Sequence, residues 1–468
     1  MRFTTTAGTS PAVSRRYAWV VFALSFALLL SDYMSRQVLN AVFPLLKAQW
    51  LLSDAKLGSL SGVVALAVGL LTFPMSFLAD RWGRVTSLLF AAVLWSLATV
   101  GCAVSAGYGQ LFVGRIFVGV GEAAYGSVGI AVVLSVFPVA LRATLSGAFI
   151  AGGAFGSVLG VALGGALAQQ FGWRWAFGTM GLLGLVLAAV YALVVTEKRL
   201  DPQRGATAAS EPLASAPLPS LLPQLFSSVS VISAYVGSGL QFLVPGALIA
   251  WLPSYFNRSY HLSTAEAGAT AGVFTLLIGV GMIAGGILSD RISQTVPLRK
   301  WTVAIGSSLA SLVLLTGAFS LPDGTVQLVL LAAGCLACAG TAGPAAAMVA
   351  NLTPALVSAT AFATLTLANS LLGLAPGPSL TGVLADHTGL RGALQLVPLV
   401  SVVTVAVFLL GRRRYTRDLL RLTTRSAPAD AVRLTETPEP PEAPDAPDAP
   451  DAPKAAQPAH PAETELPA

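Results

Sequence analysis

The chain has 468 residues, 55% of them hydrophobic and only 10% charged, with a mean hydropathy of +0.75. Soluble domains carry about 25% charged residues, so this composition excludes an ordinary soluble protein and points to one embedded in a lipid bilayer. The net charge of +6 does not mark a nucleic-acid binder, because Lys and Arg sit mostly in short segments between apolar runs, where they report topology.

Apolar segments of spanning length recur along the chain. They are predicted at about 17–46, 56–79, 85–105, 109–137, 142–170, 173–195, 228–256, 265–288, 299–320, 325–350, 356–384 and 391–411. The first is long enough to span and is followed by no Ala-x-Ala site, so it reads as a retained helix rather than a cleaved signal. A polar, Pro- and Ala-rich stretch separates the first six from the last six. The resulting expectation is an all-α membrane protein of twelve transmembrane helices in two six-helix bundles. Its parts are an N-terminus (1–16), a first bundle (17–195), a flexible connector (196–227), a second bundle (228–411) and a tail (412–468). The tail repeats Ala-Pro-Asp, and with Pro blocking helix and little to bury it reads as disordered. Three Cys are too few for a disulfide framework. The "CLAC" run at 335–338 has no polar partner nearby and reads as packing.

Basic residues set the orientation. Arg15, Arg16, Arg81, Arg84, Arg142, Lys198, Arg199, Arg204, Arg291, Arg299, Lys300 and Arg412–Arg414 fall at the termini or in even-numbered gaps. The other gaps hold only Lys47, Lys56, Arg174, Arg258 and Arg391. Both termini and the connector are therefore predicted to be cytoplasmic, with the protein in the plasma membrane, or the inner membrane of a Gram-negative cell.

Four charges fall inside spans. Asp32 is about 15 residues into the first, near mid-bilayer at 1.5 Å per residue, and Arg36 lies one turn further out. In the fourth span, Arg115 and Glu122 are seven residues apart and share a face. Four unpaired charges at span centres would cost on the order of 10 kcal/mol, so they must pair or line a watery cavity. They form one network if spans one and four face each other. A structural ion-pair cluster is one reading, although such a cluster seldom improves on apolar packing. The other is proton coupling with anion binding. Burial and a neighbouring Arg act on a carboxylate in opposite senses, so movement of substrate or Arg can switch its proton. An Arg fork also suits a carboxylate or phosphate. The second half offers only Tyr235, Gln241 and Asn369, which can hydrogen-bond a substrate or join helices.

"SFLADRWGRV" (76–85) joins spans two and three, and "GGILSDRISQ" (285–294) joins spans eight and nine. Each ends a Gly-rich span with Asp-Arg: Asp80-Arg81, followed by Gly83 and Arg84, and Asp290-Arg291. A six-plus-six chain with this repeated loop resembles the major facilitator superfamily. The first copy departs from that family's loop in having Ser76 where Gly is usual, and the second loses the following Gly-Arg. The resemblance implies that Asp80, Arg81, Arg84, Asp290 and Arg291 gate the cytoplasmic side; the alternative is that they only anchor helix ends.

"RIFVGVGEA" (115–123), "FPVALRATLSG" (137–147) and "FGWRWAF" (171–177) look like the anion:cation symporter branch and the spinster-like transporters. "AWLPSYFNRSYHLSTAEAG" (250–268) and "NSLLGLAPGPSLTGVLAD" (369–386) look spinster-like as well. Both branches carry Asp-Arg in span one, eight residues before a Pro. Arg36 stands eight before Pro44, but the carboxylate position is Ser35, with Asp32 one turn earlier. Span five has Ser157 where drug/proton antiporters carry a Pro, which favours symport.

The expected function is proton-coupled symport of a small organic anion, such as a sugar acid, by a monomer in the lipid bilayer. In that reading Arg36 and Arg115 attract the anion, with Tyr235, Gln241 and Asn369 as further substrate contacts. Glu122, with Asp32, carries the proton. No enzymatic activity, metal, nucleotide or prosthetic group is expected, and no Walker-type loop is present. Spinster-like export of a lysolipid or other amphiphile is the second reading. A non-transporting receptor of the same fold is the third.

Overall fold

The computed structural model describes residues 14–426 except 138, 201–224, 227 and 354–357; a few further side chains, including those of Asp80 and Arg142, also lie outside the described set. The described residues form helices and short connections. In chain order these are α1 (Arg15–Trp50), α2 (Asp54–Trp82), α3 (Arg84–Ala103), α4 (Tyr108–Val136), α5 (Val139–Phe171) and α6 (Trp173–Val194). They continue with the short α7 (Glu197–Leu200), α8 (Val229–Ser259), α9 (Thr264–Ser293), α10 (Arg299–Ser320), α11 (Thr325–Cys338), α12 (Ala342–Leu352), α13 (Ser358–Asn369), α14 (Pro376–Leu396) and α15 (Val400–Ser426).

Local chemistry fixes several boundaries. Ser14 and Ser228 accept hydrogen bonds from Tyr17 N and Val231 N, capping α1 and α8. Ser263 and Glu266 form a reciprocal capping box at the start of α9. Gly83 (φ 89°) makes the tight turn between α2 and α3, a conformation that a side chain would strain.

Among the described residues, eleven helical stretches are long and apolar enough to cross a membrane. The last is a 61-residue run, Thr360–Leu420, which covers both of the last two predicted spans. Straight, it would be roughly 90 Å long, about three times the hydrocarbon thickness. It is interrupted at Gly389 (φ 75°, ψ 159°) and, earlier, by a π-helical turn at Ser370–Leu374. The tenth predicted span is two helices, α11 and α12. Gly340 lies in the break, and Pro344 has no N–H to donate to its carbonyl.

Two further differences from expectation concern the segments taken as flexible. The connector begins with a helical turn, α7, and ends on buried Leu225; residues 201–224 lie outside the description. α15 continues to Ser426, past the predicted boundary at 411, and Asp418 within it accepts hydrogen bonds from Ser230 N (3.0 Å) and Ser230 Oγ (2.7 Å) at the start of α8. The Ala-Pro-Asp repeats lie outside the described residues.

The buried side chains define how the helices are arranged. Around the first turns of α1 and α3 and the last turns of α4 there is one apolar core, with Val21, Leu88, Trp95, Tyr125 and Val132. A second core gathers the start of α8 with α10, α12, α13 and α15, around Ala234, Trp301, Met348 and Phe408. At the opposite face a single core joins both sets through Phe43, Leu57, Val161, Trp251, Phe256 and Leu394. The molecule is thus continuous at the face holding Leu51 and Tyr260, and divided into two cores at the face holding Arg15.

α5 packs on α1 through small residues, as its glycines suggest. A Cβ on Gly160 would fall 2.7 Å from Met34 Cα and 2.8 Å from Met34 O, both main-chain atoms that cannot step aside. Gly160→Ala is therefore expected to lower stability by about 1–3 kcal/mol, read as a fall in Tm of the detergent-purified protein.

Candidate functional site

α1 carries a polar stripe, Asp32, Arg36 and Asn40, one turn apart and on one face. Between residues 31 and 43 only Tyr33 and Arg36 keep more than marginal solvent exposure. The middle of α1 therefore borders an accessible space, and the Arg36 side chain, 22% exposed, reaches it.

The helix pairing that would unite the four charges is present. Arg36 Nη1 donates to Glu122 Oε2 at 3.5 Å, and the Glu122 side chain is only 5% exposed. Asp32, itself buried, stands one turn before Arg36 on the same face of α1. Asp32 Oδ1 and Glu122 Oε1 are buried with no hydrogen-bond partner among the described residues. The cluster thus holds two buried carboxylates, one partly exposed guanidinium and one buried guanidinium.

Arg115 occupies a different position from Arg36. It is fully buried, and its guanidinium donates to two main-chain carbonyls of α1: Nη1 to Ser35 O (3.1 Å) and Nη2 to Arg36 O (3.0 Å). It thus ties α4 to the turn of α1 that carries Arg36, and it sits beneath that residue rather than beside it in the open space. Two charge-assisted bonds and a buried cation are at stake. Arg115→Met is expected to destabilise the protein by about 2–4 kcal/mol, and Arg115→Lys, which cannot fork across two carbonyls, by nearly as much. Thermal unfolding in detergent checks both.

The second-half candidates are dispersed. Gln241 is fully buried with both ends of its amide engaged, donating to Cys338 O (3.3 Å) and accepting from Ser401 Oγ (3.1 Å), which makes it a helix–helix tie. Asn369 is partly exposed, accepts from Ser238 Oγ (2.8 Å), and immediately precedes the π-helical turn. Such turns recur at functional sites because they widen a helix locally. Tyr235 is buried in the apolar core of α8, α10 and α12, and its hydroxyl has no partner among the described residues.

Of the gating candidates, Arg81 is exposed and Arg84 partly so, at the α2–α3 turn; the Asp80 side chain lies outside the described residues. Asp290 and Arg291 are both exposed, and neither makes an ion pair among the described residues. Glu197 of α7 accepts from Val85 N (2.8 Å) and so caps α3 beside this turn.

At the opposite face lies a constellation not singled out from the sequence. Asp54, at the start of α2, is buried and receives a bidentate pair from Arg258 at the end of α8: Nη2 to Oδ1 at 2.7 Å and Nη1 to Oδ2 at 2.8 Å. Lys47 of α1 also donates to Asp54 Oδ1 at 2.7 Å. Asp386 of α14 accepts from Asp54 N (2.7 Å) and Ala55 N (3.0 Å), capping the N-terminus of α2. Beside Arg258, Trp251 Nε1 donates to Pro378 O (2.9 Å), and between α5 and α9 Gln169 accepts from Ala265 N (2.8 Å). In the sequence, Lys47 and Arg258 read as topology markers. Only the three-dimensional approach of α1, α2, α8 and α14 joins them.

A multi-pass helical bundle with buried carboxylates and an accessible guanidinium in its interior is built to pass small molecules across a bilayer. The chain belongs to the Major Facilitator Superfamily, whose model matches residues 25–298; it is a secondary transporter of small molecules. It is similar to an uncharacterised transporter of Bacillus subtilis, 24% identical over 391 residues, covering 79% of this chain and 88% of the relative. It is similar also to the hexuronate transporter of the same organism, 25% identical over 264 residues, 56% of this chain and 62% of that one. Among solved structures it superposes on a bacterial homologue of the human lysosomal transporter Spinster in an inward-facing, unoccupied conformation. That match has a TM-score of 0.75 at 21% identity and covers 86% of this chain and 99% of the other.

Proposed function

We propose that this chain is a proton-coupled symporter of a small organic anion. The reading rests on the Arg36–Glu122 pair, in which an accessible guanidinium is bonded to a buried carboxylate in the middle of α1 and α4. An arriving anion competes with Glu122 for Arg36. Once released, Glu122 loses its counter-charge in a poorly solvated site and takes up a proton. Anion and proton therefore bind as a neutral unit, the form in which a cavity can cross from one side to the other at least cost. Asp32 shares that proton, and Arg115 holds the main chain of α1 beneath the pair.

Twelve spans in two six-helix bundles, 17–195 and 228–411, complete the scheme, with the 61-residue run folded into two spans at Gly389. Both termini are cytoplasmic, following the basic-residue bias. The continuous core and the Asp54–Arg258 pair then close the outer face, and the divided face opens to the cytoplasm. Alternating access is rocking of the bundles about the site between them. The Asp80–Arg84 turn, with Asp290 and Arg291, closes the cytoplasmic side in the other state. The protein acts as a monomer in the plasma membrane.

The test is uptake of radiolabelled hexuronate or a similar carboxylate into proteoliposomes with an inward proton gradient. Accumulation that collapses when the gradient is dissipated supports the proposal. Stabilisation and flux with lysolipids and none with carboxylates would replace it by amphiphile export, and binding without any flux by a receptor role.

A further inference from the structure

The polar stripe of α1 does not end at Arg36. Asn40 is 2% exposed, and its Nδ2 donates to Gln37 Oε1 at 2.6 Å and to Ile249 O of α8 at 3.5 Å. Its Oδ1 is buried and has no partner among the described residues. Buried amide oxygens are rarely left unmatched, and each such case needs a missing donor.

Two prolines add to the surplus of acceptors. Pro44 lies four residues after Asn40 in α1, and Pro253 lies four residues after Ile249 in α8. Proline has no N–H, so neither the Asn40 nor the Ile249 carbonyl receives its usual helical hydrogen bond. α1 and α8 thus meet where two proline-deprived carbonyls, Asn40 Oδ1 and Gln37 Oε1 lie close together. Asn40 Nδ2 donates to Gln37 Oε1 and to the Ile249 carbonyl, and no described donor reaches Asn40 Oδ1. The two amide groups here, of Asn40 and Gln37, leave Asn40 Oδ1 unmatched, so the site can take a further hydrogen-bond donor. Arg36 stands one turn away on the same face, about 6 Å along the helix axis.

Resting on the reading that Arg36 binds the anion, we infer that Asn40, with the Ile249 carbonyl, is the specificity-determining subsite that accepts hydrogen bonds from substrate hydroxyls. The ligand class is a compact polyhydroxylated carboxylate, its charged end at Arg36 and its hydroxyls at the α1–α8 crossing. In the unoccupied protein the Gln37–Asn40 bond closes the subsite. It is local to α1, so Gln37 can swing aside and let a hydroxyl take its place. The Asn40–Ile249 contact also joins α1 to α8, so occupancy bears directly on how those two helices meet.

The test compares gluconate with hexanoate, a carboxylate of the same chain length without hydroxyls, by titration calorimetry on the purified full-length protein. The wild type is expected to prefer gluconate by at least about tenfold, since a site built to pair hydroxyls rejects the analogue lacking them. Asn40→Leu is expected to weaken gluconate about tenfold, the worth of one buried hydrogen bond, and to leave hexanoate within twofold. Arg36→Gln should weaken both acids alike. Asn40→Ser, smaller and still polar, serves if the Leu variant does not fold and should show the same selective loss.

Equal affinity for the two acids in the wild type, or an undiminished preference in the Asn40 variants, overturns the subsite while leaving the anion reading intact. Acid affinity unchanged by Arg36→Gln overturns the anion reading, and binding of neither acid overturns both. Saturable binding of Na+ alone that Asn40→Leu removes would assign the surplus oxygens to a cation and overturn the hydroxyl subsite.

Discussion

Glu122→Gln is expected to abolish accumulation of the anion against its gradient while sparing exchange of anion for anion. Gln keeps the volume of Glu and can still accept from Arg36, so the site survives sterically. What it cannot do is gain and lose a proton. Coupling between two ligand sites is typically worth up to about 100-fold in affinity, and that factor should vanish. In proteoliposomes the wild type should show tighter anion binding at acid than at alkaline pH, and Glu122→Gln a flat profile. Asp32→Asn should flatten the profile only in part, because Asp32 stands one turn from Arg36 and makes no direct ion pair to it among the described residues. A fully retained pH dependence in Glu122→Gln would move the proton to Asp32.

The second large effect concerns the outer closure. Asp54 is buried, and the Arg258 fork is its main counter-charge. Removing Arg258 alone leaves the buried carboxylate with only Lys47, a change of about 1.5–3 kcal/mol against any state that keeps Asp54 buried. If that state is the one closed to the outside, Arg258→Ala shifts the balance of access states toward outward-open by a factor on the order of 10 to 100. Spin labels at Ala106 and Pro322, two exposed positions in the connections of this face, should move apart in Arg258→Ala. The double variant Asp54→Asn, Arg258→Gln removes both charges and should return most of the distance distribution to that of the wild type. An unchanged distribution in Arg258→Ala would make the cluster a fastening with no part in switching.

Most of the fold was legible because lipid imposes a single strong constraint, long apolar helices with satisfied backbones. The segments 85–105, 109–137, 173–195 and 299–320 match α3, α4, α6 and α10 to within a few residues. The misjudged places are those where composition ceases to determine conformation. The break between α11 and α12 depends on Gly340, Pro344 and a close approach to Gly285, none of which lowers apolarity. The charged run after 411 was read as leaving the helix, yet α15 continues, and Asp418 within it accepts from Ser230 at the start of α8.

At the site, depth counting on two helices was enough to bring Arg36 and Glu122 together. It could not say that Arg115 turns to main-chain carbonyls, since sequence spacing gives a face and not a hydrogen-bond partner. Gln241 was left open between substrate contact and glue, and its two bonds to Cys338 O and Ser401 are what the second role looks like. Asn40 and Gln37 escaped notice because neutral amides raise no alarm in an apolar helix. Their meaning comes from Pro253, more than two hundred residues away.

The central claim is that anion and proton travel together. A pH electrode in a lightly buffered suspension of de-energised proteoliposomes tests it directly. Adding a transported carboxylate to the outside should make the external medium more alkaline, in proportion to the anion taken up, and Glu122→Gln should abolish that change. Anion entry with no change in external pH, or with acidification, would contradict symport.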